Sequence, residues 1–365
     1  MAARQPKRAR IQGEGPHEVL RCCEVTRHRG TTQPSLLVIV LCLESSPQRS
    51  ENAQQILNVL GESKRLRSSF DLTLLRMQSF EGGRKLELSQ SSQAVSTKSL
   101  RTWAPGYHLN QKWCIGSKDE WGKTVLHERW LADSAFKSSA DVRKTRLNLH
   151  ATGGRMLQKG EVGCAITHHQ AWAIAEERGA DYVLVLEDDV IFRKEDATNL
   201  AAMLEAVVQR GGAAWQLLYL FGFDQGCSGV DVTMEGSRGP EVLQVQLPHT
   251  LPKKKGRTAS VVGLPHGTSS TAAYVLSRSG RTQLLQSNFA DQLINIDDYV
   301  NLAILGPADT HRPDLVKLLW PTDKPEFVAL KVEPNLLAVN EAWPSTVVTT
   351  YSPSCWGVVC RLGSV

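Results

Sequence analysis

The chain has 365 residues, 41% hydrophobic and 22% charged, the balance of a globular protein of one or two domains rather than of a disordered chain. Its formal net charge of +5 gathers at the start: residues 1–30 hold seven Lys or Arg (Arg4, Lys7, Arg8, Arg10, Arg21, Arg27, Arg29) against three Glu (Glu14, Glu18, Glu24), a balance of +4 that leaves the body near +1. A body so nearly neutral argues against a nucleic-acid footprint spread over the fold, and no apolar run approaches the roughly 20 residues that a membrane span needs.

Residues 1–34 read as a disordered basic lead-in, either a solvated tail or a targeting segment, ending at Pro34. Leu36–Leu43 (LLVIVLCL) is too short and too far from the start for a signal peptide, and predicts a buried parallel strand. Ser45-Ser46-Pro47 suits a helix start, and Ala53, Ile56, Leu57 and Leu60 carry helical spacing after it. Phe70–Met77 is the next strand and Glu81-Gly82-Gly83 a turn, so the opening is a β-α-β unit that implies a parallel sheet. Residues 88–150 break the pattern and read as an insertion with a helix over Lys123–Phe136. Its Trp103, Trp113, Trp121 and Trp130 either stack on sugar rings or anchor the loops.

A central helix over Val162–Arg178 puts Ala165, His168, Trp172 and Ala175 on one face, with Gly179 at the C′ position. His168 on that face reads as a packed, hydrogen-bonded core histidine. Tyr182–Leu186 is a strand, Ala197–Arg210 a helix, and Trp215–Leu220 and Val242–Leu247 are strands. The run Lys253–Arg257 (KKKGR) reads as solvated charge. Ala272–Leu276 is a strand, Ser277 an N-cap, and Arg278–Gln286 a helix. The whole predicts an α/β domain over 35–352 and a tail over 353–365. The eight cysteines form no CxxC pair, which leans to a reducing, cytoplasmic compartment. Cys42 and Cys164 read as small core hydrophobes, and Cys355 and Cys360 are a candidate bridge if the protein is secreted.

The chemistry concentrates where the strand Tyr182–Leu186 runs into Glu187, Asp188 and Asp189. Open α/β sheets bind ligands at the carboxyl ends of their strands. Adjacent carboxylates are costly to hold together without a positive charge between them. If the backbone stays extended, Glu187 and Asp189 point one way and Asp188 the other, so two oxygens address one site. Oxygen-only ligands select Mg²⁺ or Mn²⁺. Arg49 suits a bidentate contact with a diphosphate or a uracil edge, and equally a surface position. Glu161, at the start of the central helix, either favours the helix dipole or binds donor or acceptor. Asp297 and Asp298 (NIDDYV) are acids at a helix start, either a cap or a base.

GEVGCAITHHQAW (Gly160–Trp172) and VLVLEDDVIF (Val183–Phe192) together resemble two blocks of glycosyltransferase family 25, the lipooligosaccharide and collagen galactosyltransferases. The resemblance continues in order through Leu36–Arg49, Trp215–Leu220, Ser270–Leu285, Leu293–Ile304 and Phe327–Asn340. It implies a GT-A-like, Rossmann-type, mostly parallel sheet flanked by helices. It also implies inverting transfer of galactose or glucose from a UDP-sugar to a hydroxyl of a glycan or hydroxylated protein acceptor. By the same resemblance a metal, Mn²⁺ or Mg²⁺, sits on Asp189, Asp188 and Glu187, ranked in that order; Asp188 is also a candidate for donor binding, beside the readings already given for Arg49 and Glu161. Asp297 takes the place of the family's acidic residue, with Asp298 behind it, as the base that deprotonates the acceptor. The chain departs from the family at Ser345–Tyr351 (STVVTTY), which has no acid, and in the Trp-bearing stretch. A non-catalytic relative that binds nucleotide or glycan is the alternative. With no clear signal peptide or endoplasmic-reticulum retention tail, a luminal collagen-type role is not expected.

Overall fold

The computed structural model describes residues 23–27, 33–79, 159–211, 215–222, 243–251, 257–264, 268, 270–290, 295–305, 316–317, 319–322, 326–340 and 343. The readings placed on the Trp-bearing insertion, on Lys253–Lys255, on Cys355 and Cys360, on Ser345–Tyr351 and on the tail lie outside these residues. In chain order the described elements are β1 (Cys23–Arg27), β2 (Ser35–Cys42), α1 (Pro47–Glu62), α2 (Lys64–Ser69), β3 (Asp71–Gln78), α3 (Lys159–Glu177), β4 (Tyr182–Glu187) and β5 (Val190–Ile191). They continue as α4 (Lys194–Gly211), β6 (Leu217–Tyr219), β7 (Leu243–Gln246), β8 (Thr258–Gly263), β9 (Ala273–Ser277), α5 (Arg278–Gln286), α6 (Ile296–Ile304), β10 (Ala329–Glu333) and β11 (Ala338–Val339).

The unbroken aliphatic runs of β2 and β4 need cover on both faces, and they receive it. β2 lies between β3 and β4 and is parallel to both. Leu37, Ile39, Leu41, Val183 and Val185 point to one side, into a core shared with Trp172 and Ala175 of α3 and with Tyr299 of α6. Leu36, Val38, Val40, Leu184 and Leu186 point to the other, against Ala53, Ile56 and Leu57 of α1 and Leu200 of α4. This is an α/β sheet with helices on both faces.

The main sheet has nine strands in the order β1-β3-β2-β4-β9-β6-β10-β8-β7. Six of them, β2, β3, β4, β6, β7 and β10, run one way, and β1, β8 and β9 oppose them. The sheet is therefore mixed between neighbours although most strands share a direction. β9 matters most for the site. It runs antiparallel to β4 with Ala273 beside Leu186, so the segment leading into β9 lies at the carboxyl end of β4. A difference from the sequence reading lies at the other edge. Within the stretch read as a lead-in, the backbone of Cys23–Arg27 pairs with β3, with a register shift between Glu24 and Thr26. Five residues are too few to stand out against a basic, polar background.

Local signals set several ends. Pro47 opens α1. Gly179 takes φ +65° after α3, a conformation that costs glycine little and other residues more. Ser277 caps α5 by accepting from Gly280 N. Gly280 is also a point of close approach, because a Cβ there would lie 2.2 Å from Gln216 O and 2.8 Å from its carbonyl carbon. Backbone on that side cannot rotate away. Gly280→Ala is therefore expected to cost about 2–3 kcal/mol in urea unfolding, by forcing α5 off β6. Among the described residues no helix is long and apolar enough to cross a membrane.

Candidate functional site

β4 ends at Glu187, and Asp188 and Asp189 form a turn before β5. The alternation expected of an extended chain holds for the first pair only. Glu187 continues the side of Val185 and meets α3, where its Oε1 lies 3.3 Å from His168 Nε2 and 3.4 Å from Thr271 Oγ1. Asp188 continues the side of Leu186 and meets α1. Its Oδ1 accepts from Arg49 Nη1 at 2.7 Å and its Oδ2 from Leu43 N at 2.6 Å. Asp189, released by the turn, swings back toward the same guanidinium, with Oδ2 3.6 Å from Arg49 Nη2. Its Oδ1 is buried with no hydrogen-bond partner among the described residues.

The turn is pinned from three sides. Asn52 Nδ2 donates to the carbonyls of Asp188 and Val190. Ala272 O accepts from Glu187 N. β11 pairs with β5, and Asn340 N donates to Asp189 O at 2.8 Å. The acids are thus held by α1, by the approach to β9 and by the chain beyond β10. Arg49 is only 7% exposed; it is the positive charge that three adjacent carboxylates require.

Electrostatics separate the three acids. Burial pushes the Glu187 carboxyl up, but hydrogen bonds from His168 and Thr271 and the Arg49 charge outweigh it and leave it below its usual value. Burial pushes Asp188 up, against the opposing pull of Leu43 N and Arg49. Burial and the neighbouring Glu187 charge push Asp189 up to about 7, with Arg49 opposing. The folded state then keeps a proton on Asp189 that the unfolded chain has already lost, from about pH 4 to about pH 7. Without metal, stability should fall as pH rises through that window and level off above it. Asp189→Asn should flatten this slope and be the more stable form at pH 8, by roughly 2–4 kcal/mol. Urea midpoints between pH 5 and 8 in a chelator check this; an unchanged slope in the variant would mean another group titrates.

His168 is fully buried, and its Nδ1 lies 2.8 Å from the Tyr274 hydroxyl, which also accepts from Trp172 Nε1 at 2.9 Å. The reading of His168 as a packed, hydrogen-bonded residue fits this, but its Nε2 also reaches the site. His169, one residue on, packs beside Trp172 and Phe289, and burial pushes it down to about 4, so it is neutral at pH 7. Tyr219, at the end of β6, stands edge-on to Tyr274. Burial, and then the Asp297 charge, push its hydroxyl well up. Asp297 lies in the first turn of α6, near enough to Tyr219 for its charge to act on that hydroxyl. Asn295, not an aspartate, caps α6 by accepting from Asp297 N. Asp298 is buried, at 3% exposure. Glu161 lies in the first turn of α3, and its side chain is outside the described residues.

Tyr274, Tyr219, Thr271 and Asn52 had no mark in the sequence beyond their place in strand or helix patterns. One signal was legible: Cys164 and His168 lie four residues apart and so share a helical face.

A family model described as glycosyltransferase family 25 (LPS biosynthesis protein) matches residues 134–300, which include α3, the acidic turn, β9 and the start of α6. Residues 134–300 are thus similar to a glycosyltransferase family 25 domain. A Bos taurus protein named "Probable inactive glycosyltransferase 25 family member 3" is 30% identical over 205 residues, 54% of this chain and 29% of that protein. The Homo sapiens "Inactive glycosyltransferase 25 family member 3" is 29% identical over 200 residues, 54% and 29%. A Danio rerio "Procollagen galactosyltransferase 1" is 27% identical over 147 residues, 40% and 20%. The family 25 match spans less than a third of these relatives' own length.

Proposed function

We propose that this family 25 chain moves a hexose, galactose or glucose, from a UDP-sugar to a hydroxyl of a glycan or hydroxylated protein acceptor, with inversion. The observation that carries this reading is the acidic turn: Asp189 Oδ1 is buried, without a hydrogen-bond partner among the described residues, and backed by Arg49 at the carboxyl end of a central strand. An oxygen donor in that state fits Mn²⁺ or Mg²⁺, with Asp188 beside it and Glu187, turned toward α3, the least well placed of the three to reach the ion. Bound there, such a cation supplies charge neutralisation for a departing diphosphate. The GT-A-like donor fold, the names of the procollagen galactosyltransferases and the place of Asp297 support the rest.

The protein groups divide the remaining work. Asp188 fixes Arg49, and Arg49 keeps the cluster from being wholly anionic before donor arrives. Asp297 is preferred to Asp298 as the base because it is the less buried of the two. It takes the acceptor proton as the hydroxyl attacks from the face opposite UDP. A second reading, a non-catalytic nucleotide or glycan binder, is favoured by the relatives named inactive and by the Arg49 guanidinium already seated between two of the acids.

UDP release from a panel of UDP-sugars, with Mn²⁺ and then with EDTA, separates the two. Metal-dependent release from one sugar, reduced at least about a hundredfold in Asp189→Asn while that variant stays folded, is the expected outcome. UDP binding without release from any sugar would favour the binder. Release that ignores EDTA would sink the metal assignment.

A further inference from the structure

On the α3 side of β4, three side chains of different chemistry converge. One ligand atom each from Cys164, His168 and Glu187 lies within 4.8 Å of the other two. Cys164 and His168 share a face of α3, and Glu187 comes from the end of β4. Cys164 forms no disulfide among the described residues; it is half-buried and packs against the core as the small hydrophobe the sequence reading expected. His168 Nε2 faces Glu187 Oε1 at 3.3 Å, while Nδ1 is engaged by the Tyr274 hydroxyl. That is how metal-binding histidines are usually held, with one nitrogen fixed by an outer partner and the other presented. Trp172 holds the tyrosine in turn.

We infer that Cys164, His168 and Glu187 form a second cation site, of sulfur, nitrogen and oxygen donors, suited to a borderline ion of the Zn²⁺ class. It differs in kind from the all-oxygen environment of Asp189, where hard cations belong. Three protein ligands leave a fourth, open position for water or a substrate atom. Glu187 fits this site better than the Asp189 site, because its carboxylate is turned toward α3 and away from Arg49's partner Asp188. Cys164 enters as the thiolate, and its proton leaves to solvent on binding. The inference does not depend on sugar transfer, since a catalytic and a non-catalytic chain carry the same three residues.

Co²⁺, which reports thiolate ligation by absorption, is the probe, added to the full-length protein. A sulfur-to-cobalt charge-transfer band at one equivalent is expected. It should disappear in Cys164→Ala, persist in Asp189→Asn and be displaced by Zn²⁺. A band that survives Cys164→Ala, or no band at all, overturns the site. Where Cys164→Ala folds poorly, the wild-type protein gives a direct readout. Zn²⁺ should slow alkylation of Cys164 by iodoacetamide about tenfold or more, followed by peptide mass spectrometry. An unchanged rate at Cys164 overturns the inference as well.

Discussion

Arg49→Ala is expected to destabilise the protein by about 3–5 kcal/mol, because removing one partner of a buried ion pair leaves the other uncompensated. Here two are left. Asp188 loses a 2.7 Å hydrogen bond and Asp189 loses the charge 3.6 Å away. Both are already pushed up by burial. Arg49→Lys should recover little, since a lysine ammonium cannot span two carboxylates with a rigid fork. Arg49→Ala with Asp188→Asn should recover more than either single change predicts, because the residues act as one unit. Lowering the pH toward 5 should narrow the Arg49→Ala deficit, as the stranded acids take up protons. Urea unfolding at two pH values measures all of this. A loss below about 0.5 kcal/mol would place Arg49 with ordinary surface residues.

Trp172→Ala is expected to cost about 3–5 kcal/mol, as for a large aromatic removed from a packed core. Trp172 is fully buried and packs beside Phe289 and Tyr299, at ring separations of 6.1 and 5.9 Å. It also has a polar duty through Nε1. Trp172→Phe keeps most of the packing and drops only that hydrogen bond to Tyr274, so about 1–2 kcal/mol is expected from it. The comparison separates filling space from fixing Tyr274. If the Phe variant is as damaging as the Ala variant, the polar chain from Trp172 through Tyr274 to His168 matters more than the volume. Equilibrium unfolding of the two variants decides it.

The parts of this fold that were legible in the sequence are those governed by neighbours along the chain. β2, β4 and α5 stand within a residue or two of the boundaries expected, because aliphatic runs, Pro47, Gly179 and Ser277 are local signals. The direction of β9 was not legible, since an apolar run says that a strand is buried but not which way it points. β8 and β1 were hidden for a related reason: Thr258–Gly263 and Cys23–Arg27 draw their strand character from pairing rather than from pattern. At the site, the acidic triplet was visible as composition. Its division was not. Glu187 going to α3 and Asp188 to α1 depends on the strand stopping between them, and Tyr219 and Tyr274 acquire their meaning only when β6 and β9 lie side by side.

The ribbon that clamps the acidic turn has a consequence for how the protein is made. Asn340, which holds the Asp189 carbonyl, and Ala338–Val339, which pair with β5, leave the ribosome long after β4. The helices and parallel strands of the first half can collapse while synthesis continues, but the Asp189 carbonyl and β5 lack their clamp until this late segment arrives. A nascent or prematurely terminated chain would therefore hold a core whose acidic turn is clamped on fewer sides, and contacts so distant in sequence form slowly. The interval between a folded body and a finished site is a stage at which quality control can act on this protein.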